Sequence, residues 1–183
     1  MTDLRHLVES FTEAEYGRVT RDHSAYAETQ SLTESEINRL LAMYRQGGGM
    51  QHLRLLRDSI DHWIRRYHGY TIGGSIGSHY QQQDVDPRDC IFEHIIPASK
   101  VRDMLLAGVL TVQQALNAPT CLISKSNDVL LRQAGHVSSS PSYWNFFDRY
   151  QTLASQFVTH DGVAIPDPHS WTLDKHYKHF NIV

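Results

Sequence analysis

Cysteine is almost absent from this sequence: Cys90 and Cys121 are the only two in 183 residues. Two thiols cannot build a disulfide framework, and they cannot supply the two Cys-x-x-Cys pairs of a structural zinc site. No apolar run approaches the roughly 20 residues that a membrane-spanning helix needs. The amino terminus also lacks the basic start and apolar core of a signal peptide. We therefore expect a cytoplasmic protein without a structural zinc and without a membrane partner.

The chain also lacks a surplus of basic residues. It carries 17 Lys and Arg against 20 Asp and Glu, for a formal net charge of −3 with its 12 histidines neutral. Proteins that bind nucleic acid usually carry a positive surplus, so a nucleic-acid interface would be confined to one part of the surface or shared with a partner. The glycine-rich run 73–78 does not match the pattern of a nucleotide-binding P-loop, which excludes that kind of site.

Two short apolar runs in the middle of the chain organise the rest. The first run spans residues 90–96 and ends at Pro97, which has no backbone N–H to donate to a neighbouring strand. The second run spans residues 119–124, and helical spacing of apolar residues begins just after it. The pattern predicts that the two runs form an antiparallel pair of strands, followed by a helix from about Ser126.

The sequence on the amino-terminal side of this pair predicts helices. A capping box at Thr33 and Glu36 predicts a helix that begins at Thr33 and ends at the three glycines from Gly47. A second helix, from about Met50 to Tyr67, has the clearest apolar stripe in the chain. Between the two strands, residues 101–116 are expected to form two short helices, the second beginning near Thr111.

The carboxyl-terminal part is also expected to be helical. Ser140 and Pro141 are typical of a helix start, and the tail from Ser170 to Phe180 has the spacing of a short helix. The expected aromatic helix carries seven core candidates: Tyr143, Trp144, Phe146, Phe147, Tyr150, Leu153 and Phe157.

The predicted fold is therefore α+β and mostly helical, with a two-stranded antiparallel hairpin, in one compact unit. Its expected parts are a helical extension over 1–72, a linker over 73–88, a strand–strand–helix core over 89–135 with a helical insert over 100–116, and a helical extension over 136–183.

Three features of the central region resemble the HNH nucleases, also called ββα-metal or His-Me finger nucleases. They are the acid-His-x-x-Pro string from Glu93 to Pro97, Asn117 before the second strand, and Asn127 at the start of the helix. The resemblance covers about a quarter of the chain. It departs from the family pattern in having Glu in place of Asp, in the separation of 33 positions from His94 to Asn127, and in lacking the zinc-binding cysteines.

The resemblance implies hydrolysis of phosphodiester bonds, which needs a base to activate water and a cation to stabilise the phosphate charge. An imidazole titrates near neutral pH, and hard oxygen donors are typical of Mg²⁺ or Mn²⁺ sites. The implied roles are His94 as general base, Glu93 and Asn127 as metal ligands, and Asn117 as a brace for the loop that carries His94. Asp128 is the alternative ligand to Asn127, and Asn117 could instead simply end a helix or start a turn.

The expected partner is DNA, and RNA is not excluded. The candidate phosphate contacts are Arg54, Arg57, Arg65, Arg66 and Lys125. It is equally plausible that the four arginines are ordinary solvated residues with Asp58 and Asp61 as local partners. One such site cuts one strand at a time, so a double-strand cut would need a homodimer or two successive cuts.

Chain length suggests a phage-encoded, homing or restriction-type nuclease. The alternative is a catalytically inactive HNH-like module that binds nucleic acid or protein. The negative net charge and the Glu at position 93 favour this alternative, whereas the intact His94 and Asn127 disfavour it. A third hypothesis is a structural phage or host-interaction protein in which the motif match is accidental.

Overall fold

The computed structural model of this protein describes residues 24–71, 78–153 and 155–182. The acidic start of the chain, residues 1–23, lies outside this range. The helices are α1 (Ser24–Arg45), α2 (Met50–Thr71), α3 (Ala98–Leu106), α4 (Val112–Leu116), α5 (Lys125–Gln133) and α6 (Leu173–His179). The strands are β1 (Tyr80–Gln82), β2 (Cys90–His94), β3 (Thr120–Ser124), β4 (Phe157–Thr159) and β5 (Ala164–Ile165).

The predicted pair of strands is present. β2 and β3 run antiparallel, with Cys90 opposite Ser124 at one end and His94 opposite Thr120 at the other. Helix α5 begins directly after β3, with Ser124 as its N-cap. The prediction of two antiparallel strands followed by a helix near Ser126 is therefore confirmed, and so is the α+β class.

The expectation of little further sheet is wrong, because the pair belongs to a mixed sheet of five strands in the order β2-β3-β1-β4-β5. Strand β1 lies in the segment predicted to be a linker, runs parallel to β3 and pairs antiparallel with β4. A three-residue strand with two glutamines gives almost no alternating apolar pattern in the sequence. Its Tyr80 is fully buried, so contacts with distant parts of the chain stabilise the strand.

The first helix does not begin at Thr33 as the capping box predicts. Helix α1 runs through this position from Ser24, and the Thr33 hydroxyl donates to the carbonyl of Thr29 at 2.8 Å. Such a bond to the residue four positions earlier is the usual way for threonine to sit inside a helix. The helix ends before Gly47, whose φ of 80° lies in the left-handed region that favours glycine.

The helices of the amino-terminal half pack against one another and against the sheet. Helix α2 confirms the strongest helical prediction, and the insert forms the expected two short helices α3 and α4. Thr111 and Gln114 form a full capping box at the start of α4. The shared core contains the following buried residues: Ile37, Leu40, Leu41, Leu56, Ile60, Ile64, Val101, Leu105 and Leu116.

The predicted aromatic helix after Ser140 is wrong. Where it is described, this segment has a single short 3₁₀ helix, Phe146–Tyr150, before strands β4 and β5, although the tail does form α6. Phe146, Phe147 and Tyr150 are buried against aromatic residues of the sheet. The ring of Phe147 lies 5.1 Å from that of Tyr80 and 5.2 Å from that of Phe157. Burial of these rings against two strands outweighs their local helical spacing.

A chain of hydrogen bonds ties α6 to the middle of the sheet. Nε2 of His176 lies 2.7 Å from the carbonyl oxygen of Asn117, which can only accept, so this nitrogen carries a hydrogen. In the uncharged ring Nδ1 therefore accepts from the Tyr80 hydroxyl at 2.7 Å. The indole of Trp171 in turn donates to the Tyr80 oxygen at 2.8 Å. His176 thus links the turn before β3 to Tyr80 of β1.

Both cysteines are free thiols, with Cys121 buried and Cys90 half-buried. Within the described ranges, none of the helices combines the length and the apolar character that crossing a membrane would require.

The hydrogen bonds of Tyr80 generate a stability prediction. Tyr80→Phe leaves the ring in place but removes the hydroxyl that serves both His176 and Trp171. We expect the free energy of unfolding, measured by urea titration, to fall by about 1–3 kcal/mol, because buried polar atoms lose their partner. The matched control is Tyr44→Phe, on the half-buried α1 tyrosine, which should change it by less than about 0.5 kcal/mol. Equal losses in the two variants would contradict the assigned role.

Candidate active site

The two residues of the acid-His pair lie on opposite faces of the sheet. Glu93 and His94 are neighbours in β2, and neighbouring strand residues point to opposite sides. Glu93 binds Arg149 of the carboxyl-terminal segment, whereas Nε2 of His94 lies 3.0 Å from Nδ1 of His68 in α2. The His94 ring therefore points away from the side of the sheet on which Glu93 lies. Because β2 is an edge strand, both side chains flank the same margin of the sheet.

Asn127 lies on the Glu93 side, and its carboxamide is oriented by two hydrogen bonds. The backbone N–H of Ser124 donates to Oε1 of Gln82 at 3.0 Å, which identifies that Gln82 atom as the oxygen. Nδ2 of Asn127 donates to the same oxygen at 2.8 Å and to the Ser155 hydroxyl at 2.9 Å. Both amide hydrogens are thereby used, so Oδ1 is the atom left to bind a cation.

Asp128 adds a second carboxylate to this side of the sheet. It is close enough to Glu93 for its negative charge to raise the pKa of that residue. Burial is the larger cause of the raised Glu93 pKa, and the positive charge of Arg149 opposes it. Arg132 pairs with Asp128 at 2.8 Å and is 63% exposed. The start of α5 and the end of β2 therefore bring two carboxylates and one carboxamide to the same region.

Arg149 is a site residue that the sequence analysis missed. Its side chain is 2% exposed, and it pairs with the Glu93 carboxylate. It also donates to the carbonyl of His94 at 2.6 Å and to that of Ile95 at 2.9 Å. A further bond reaches the carbonyl of Val137 at 3.2 Å. The only sequence signal for this role is a charged residue inside an aromatic stretch that was expected to be buried.

His94 has a different environment on the α2 face. Its ring packs edge-on against Phe92 at 5.2 Å and near His68 at 5.0 Å. Burial lowers the pKa of His94 from 6.5 to about 4, and the positive charge of Arg65 acts in the same direction. The imidazole is therefore uncharged at neutral pH, which is the form that can accept a proton.

Asn117 does not contact His94 through its side chain. It is the C-cap of α4, and its Nδ2 donates to the carbonyl of Gln113 at 2.9 Å. Its backbone carbonyl accepts from His176, and the preceding carbonyl of Leu116 lies 2.8 Å from Nε2 of His68. The turn before β3 is thus connected to His94 by way of His68.

The predicted phosphate contacts do not form one patch. Arg57 and Arg65 are eight residues apart on α2, and each pairs with an aspartate. Arg57 lies 3.0 Å from Asp103, and Arg65 lies 2.6 Å from Asp61. Arg102 of α3, which the sequence analysis missed, lies 2.8 Å from Asp103. Arg65 is also close enough to lower the pKa of His94. These three arginines and two aspartates form a chain of ion pairs with one excess positive charge, and Arg65 and Asp61 at one end of it lie close enough to His94 to shift its pKa.

The remaining three basic candidates are exposed and lie elsewhere. Arg54 and Arg66 are on the surface of α2. Lys125 at the start of α5 donates to the carbonyl of Arg88 at 3.3 Å and lies 3.9 Å from Asp89. Lys125 therefore contacts the turn before β2.

The donor set on the Glu93 side fits a magnesium or manganese ion that keeps most of its water. Oxygen atoms of Glu93, Asp128 and Asn127 are hard ligands, and Mg²⁺ is commonly held by one or two carboxylates together with water and phosphate. A fully protein-made site does not fit. Over the described ranges, no group of three or more His, Cys, Asp or Glu side chains is arranged to hold a metal ion.

Comparisons of this chain with protein-family models, with curated proteins and with solved structures gave no match. Function is therefore argued from the residues and the geometry of the site.

The buried guanidinium of Arg149 generates a stability prediction. Arg149→Met keeps much of the side-chain volume but leaves the Glu93 carboxylate and three backbone carbonyls without their partner. We expect the free energy of unfolding to fall by about 3 kcal/mol in urea titration, because removal of one member of a buried ion pair is costly. Arg132→Met, in the exposed pair with Asp128, is the matched control and should cost less than about 1 kcal/mol. Similar losses at the two positions would refute this account of Arg149.

The lowered pKa of His94 generates a prediction about pH. The unfolded chain binds a proton at this residue near pH 6.5, whereas the folded protein does so only near pH 4. The free energy of unfolding therefore falls as the pH drops from 6.5 to 4. In His94→Phe this part of the decline should vanish, a change on the order of 2 kcal/mol at pH 4. Urea titrations at pH 7 and pH 4.5 measure it, with His52→Phe on the exposed surface of α2 as control. A decline of wild-type steepness in His94→Phe would show that another group causes it.

Proposed function

We propose that this protein is a Mg²⁺- or Mn²⁺-dependent endonuclease of the HNH type that hydrolyses phosphodiester bonds in DNA. The observation that carries the proposal is that two antiparallel strands are followed by a helix, and that β2 and this helix carry carboxylate and carboxamide oxygens on the same side. Glu93 on β2 and Asn127 at the start of α5 lie on the same side of an antiparallel pair. Asp128 adds its charge to that side. These are the residue types and the arrangement of elements that the HNH resemblance implies.

On the ligand side, the chain orients its oxygens before any cation arrives. Gln82 and Ser155 hold the amide of Asn127, and Arg149 holds the carboxylate of Glu93. A bound Mg²⁺ or Mn²⁺ supplies charge stabilisation for the phosphate and the leaving oxygen. Arg149 lies behind Glu93 rather than in solvent, so it positions the carboxylate and does not contact the substrate.

On the opposite face, His94 is the group that takes the proton from the attacking water. As water attacks the phosphorus and the P–O bond breaks, the water proton passes to the uncharged imidazole. A phosphodiester that crosses the edge of β2 meets Glu93 from one face and His94 from the other. Its negative charge raises the pKa of His94 from the value of about 4 in the free protein, which makes the ring a better base. Arg65, beside His94, is the nearest candidate for a phosphate contact.

The proposal predicts that His94→Ala lowers the rate of plasmid nicking by about 10²–10⁴-fold, because the base is lost while the metal ligands remain. Glu93→Gln should weaken the affinity for Mg²⁺, so that a higher Mg²⁺ concentration is needed for half-maximal activity. The measurement is conversion of supercoiled to nicked plasmid by purified protein over a range of Mg²⁺ concentrations, with EDTA as the blank.

The matched controls carry the same substitutions away from the site. His52→Ala replaces an exposed histidine of α2, and Glu36→Gln replaces a glutamate that pairs with Arg39 on α1. Both controls should nick at the wild-type rate. Wild-type activity in purified His94→Ala protein would refute the mechanism, and absence of cleavage in the wild type with every metal would refute the nuclease.

Two observations favour a second function, that of an HNH-like module that binds without cleaving. Arg149 already neutralises Glu93, and the His94 ring lies on the other face, as would be expected of an HNH-like module that binds without cleaving. Such a module would bind DNA or a protein equally well with EDTA or Mg²⁺, and it would leave plasmid intact. DNA affinity measured in parallel with nicking separates this function from the nuclease.

A further inference from the structure

His94 is held by a relay that crosses from the sheet to the turn before β3. Nε2 of His94 lies 3.0 Å from Nδ1 of His68, and Nε2 of His68 lies 2.8 Å from the carbonyl oxygen of Leu116. The ring of His68 is fully buried near the carboxyl end of α2. Three separate elements therefore meet in two consecutive hydrogen bonds, and one end of this relay is the proposed base.

The direction of both bonds follows from the carbonyl at the end. A carbonyl oxygen only accepts, so Nε2 of His68 carries a hydrogen. In the uncharged His68 ring, Nδ1 is then the acceptor, and the hydrogen between the two rings belongs to Nε2 of His94. The uncharged His94 ring consequently keeps its lone pair on Nδ1. The opposite tautomer would place two acceptor nitrogens against each other at 3.0 Å.

We propose that His68 is a positioning residue for His94. It selects the tautomer with hydrogen on Nε2, fixes the ring plane, and leaves Nδ1 as the atom that accepts the proton from water. The catalytic part of this inference rests on the nuclease proposed above, whereas the tautomer is a property of the folded protein by itself. The end of α4, just before the turn that leads to β3, also has a role. The carbonyl of Leu116, the last residue of α4, sets which nitrogen of His68 can accept a hydrogen bond.

The tautomer can be read without any nuclease assay. In protein labelled with ¹⁵N-histidine, protonated and unprotonated ring nitrogens have well-separated chemical shifts, and His94→Ala assigns the resonances. We expect His94 to carry its hydrogen on Nε2 in the wild type. In His68→Phe, which keeps a ring but has no acceptor, the two tautomers should mix. In His68→Asn the side-chain oxygen replaces Nδ1, so the wild-type tautomer should be retained. A wild-type His94 with hydrogen on Nδ1 overturns the proposal.

Cleavage kinetics then separate positioning from simple stabilisation. His68→Phe should lower kcat on the order of 10–100-fold with little change in KM for DNA, as loss of an orienting residue does. His68→Asn should recover most of this loss. In a His94→Ala background, His68→Phe should cause no further decrease, because there is no ring left to orient. An equal fold-loss in both backgrounds means that His68 only stabilises the fold, and it overturns the catalytic part of the proposal.

The two arms also distinguish this inference from the nuclease itself. If the wild type cleaves nothing but His94 shows hydrogen on Nε2 that depends on His68, the nuclease is refuted and the relay stands. If cleavage depends on His94 while His68→Phe and His68→Asn both retain the wild-type kcat, the nuclease stands and the positioning role is refuted. If His68→Phe fails to fold, His68→Asn and the wild-type spectrum decide the outcome.

Discussion

The buried guanidinium of Arg149 is the interaction on which the site depends. A charged group that is 2% exposed needs hydrogen bonds to be stable, and here its two terminal nitrogens donate to one carboxylate and three carbonyls, whereas Nε has no partner among the described residues. Those partners come from the end of β2 and from the loop after α5. The same side chain therefore anchors the carboxyl-terminal segment, orients Glu93, and holds the point where the chain leaves the edge strand.

The edge position of β2 divides the site into two halves. Strand geometry sends Glu93 towards α5 and His94 towards α2, so each half has its own supporting residues. Gln82 and Ser155 orient the carboxamide of Asn127 on one side, and His68 contacts the ring of His94 on the other. In the proposed nuclease, a substrate that crosses this margin would bring the two halves together.

The charge distribution is consistent with a weakly basic surface beside His94. The arginines of α2 and α3 are mostly paired with aspartates, so they orient one another as much as they attract phosphate. Exposed pairs of this kind contribute little to stability. An arginine in such a pair can release its aspartate and bind a phosphate at a low cost in free energy.

Local sequence patterns by themselves determined the antiparallel pair, α2, the two insert helices and α5, because each has a clear apolar period or a cap. The HNH resemblance, rather than these patterns, singled out Glu93, His94 and Asn127. Only the tertiary structure decided the rest. Strand β1 and the aromatic turn are stabilised by burial against distant residues, which leaves no local period. His68 and Arg149 join the site through contacts between residues 26 and 56 positions apart, and no spacing along the chain encodes such contacts.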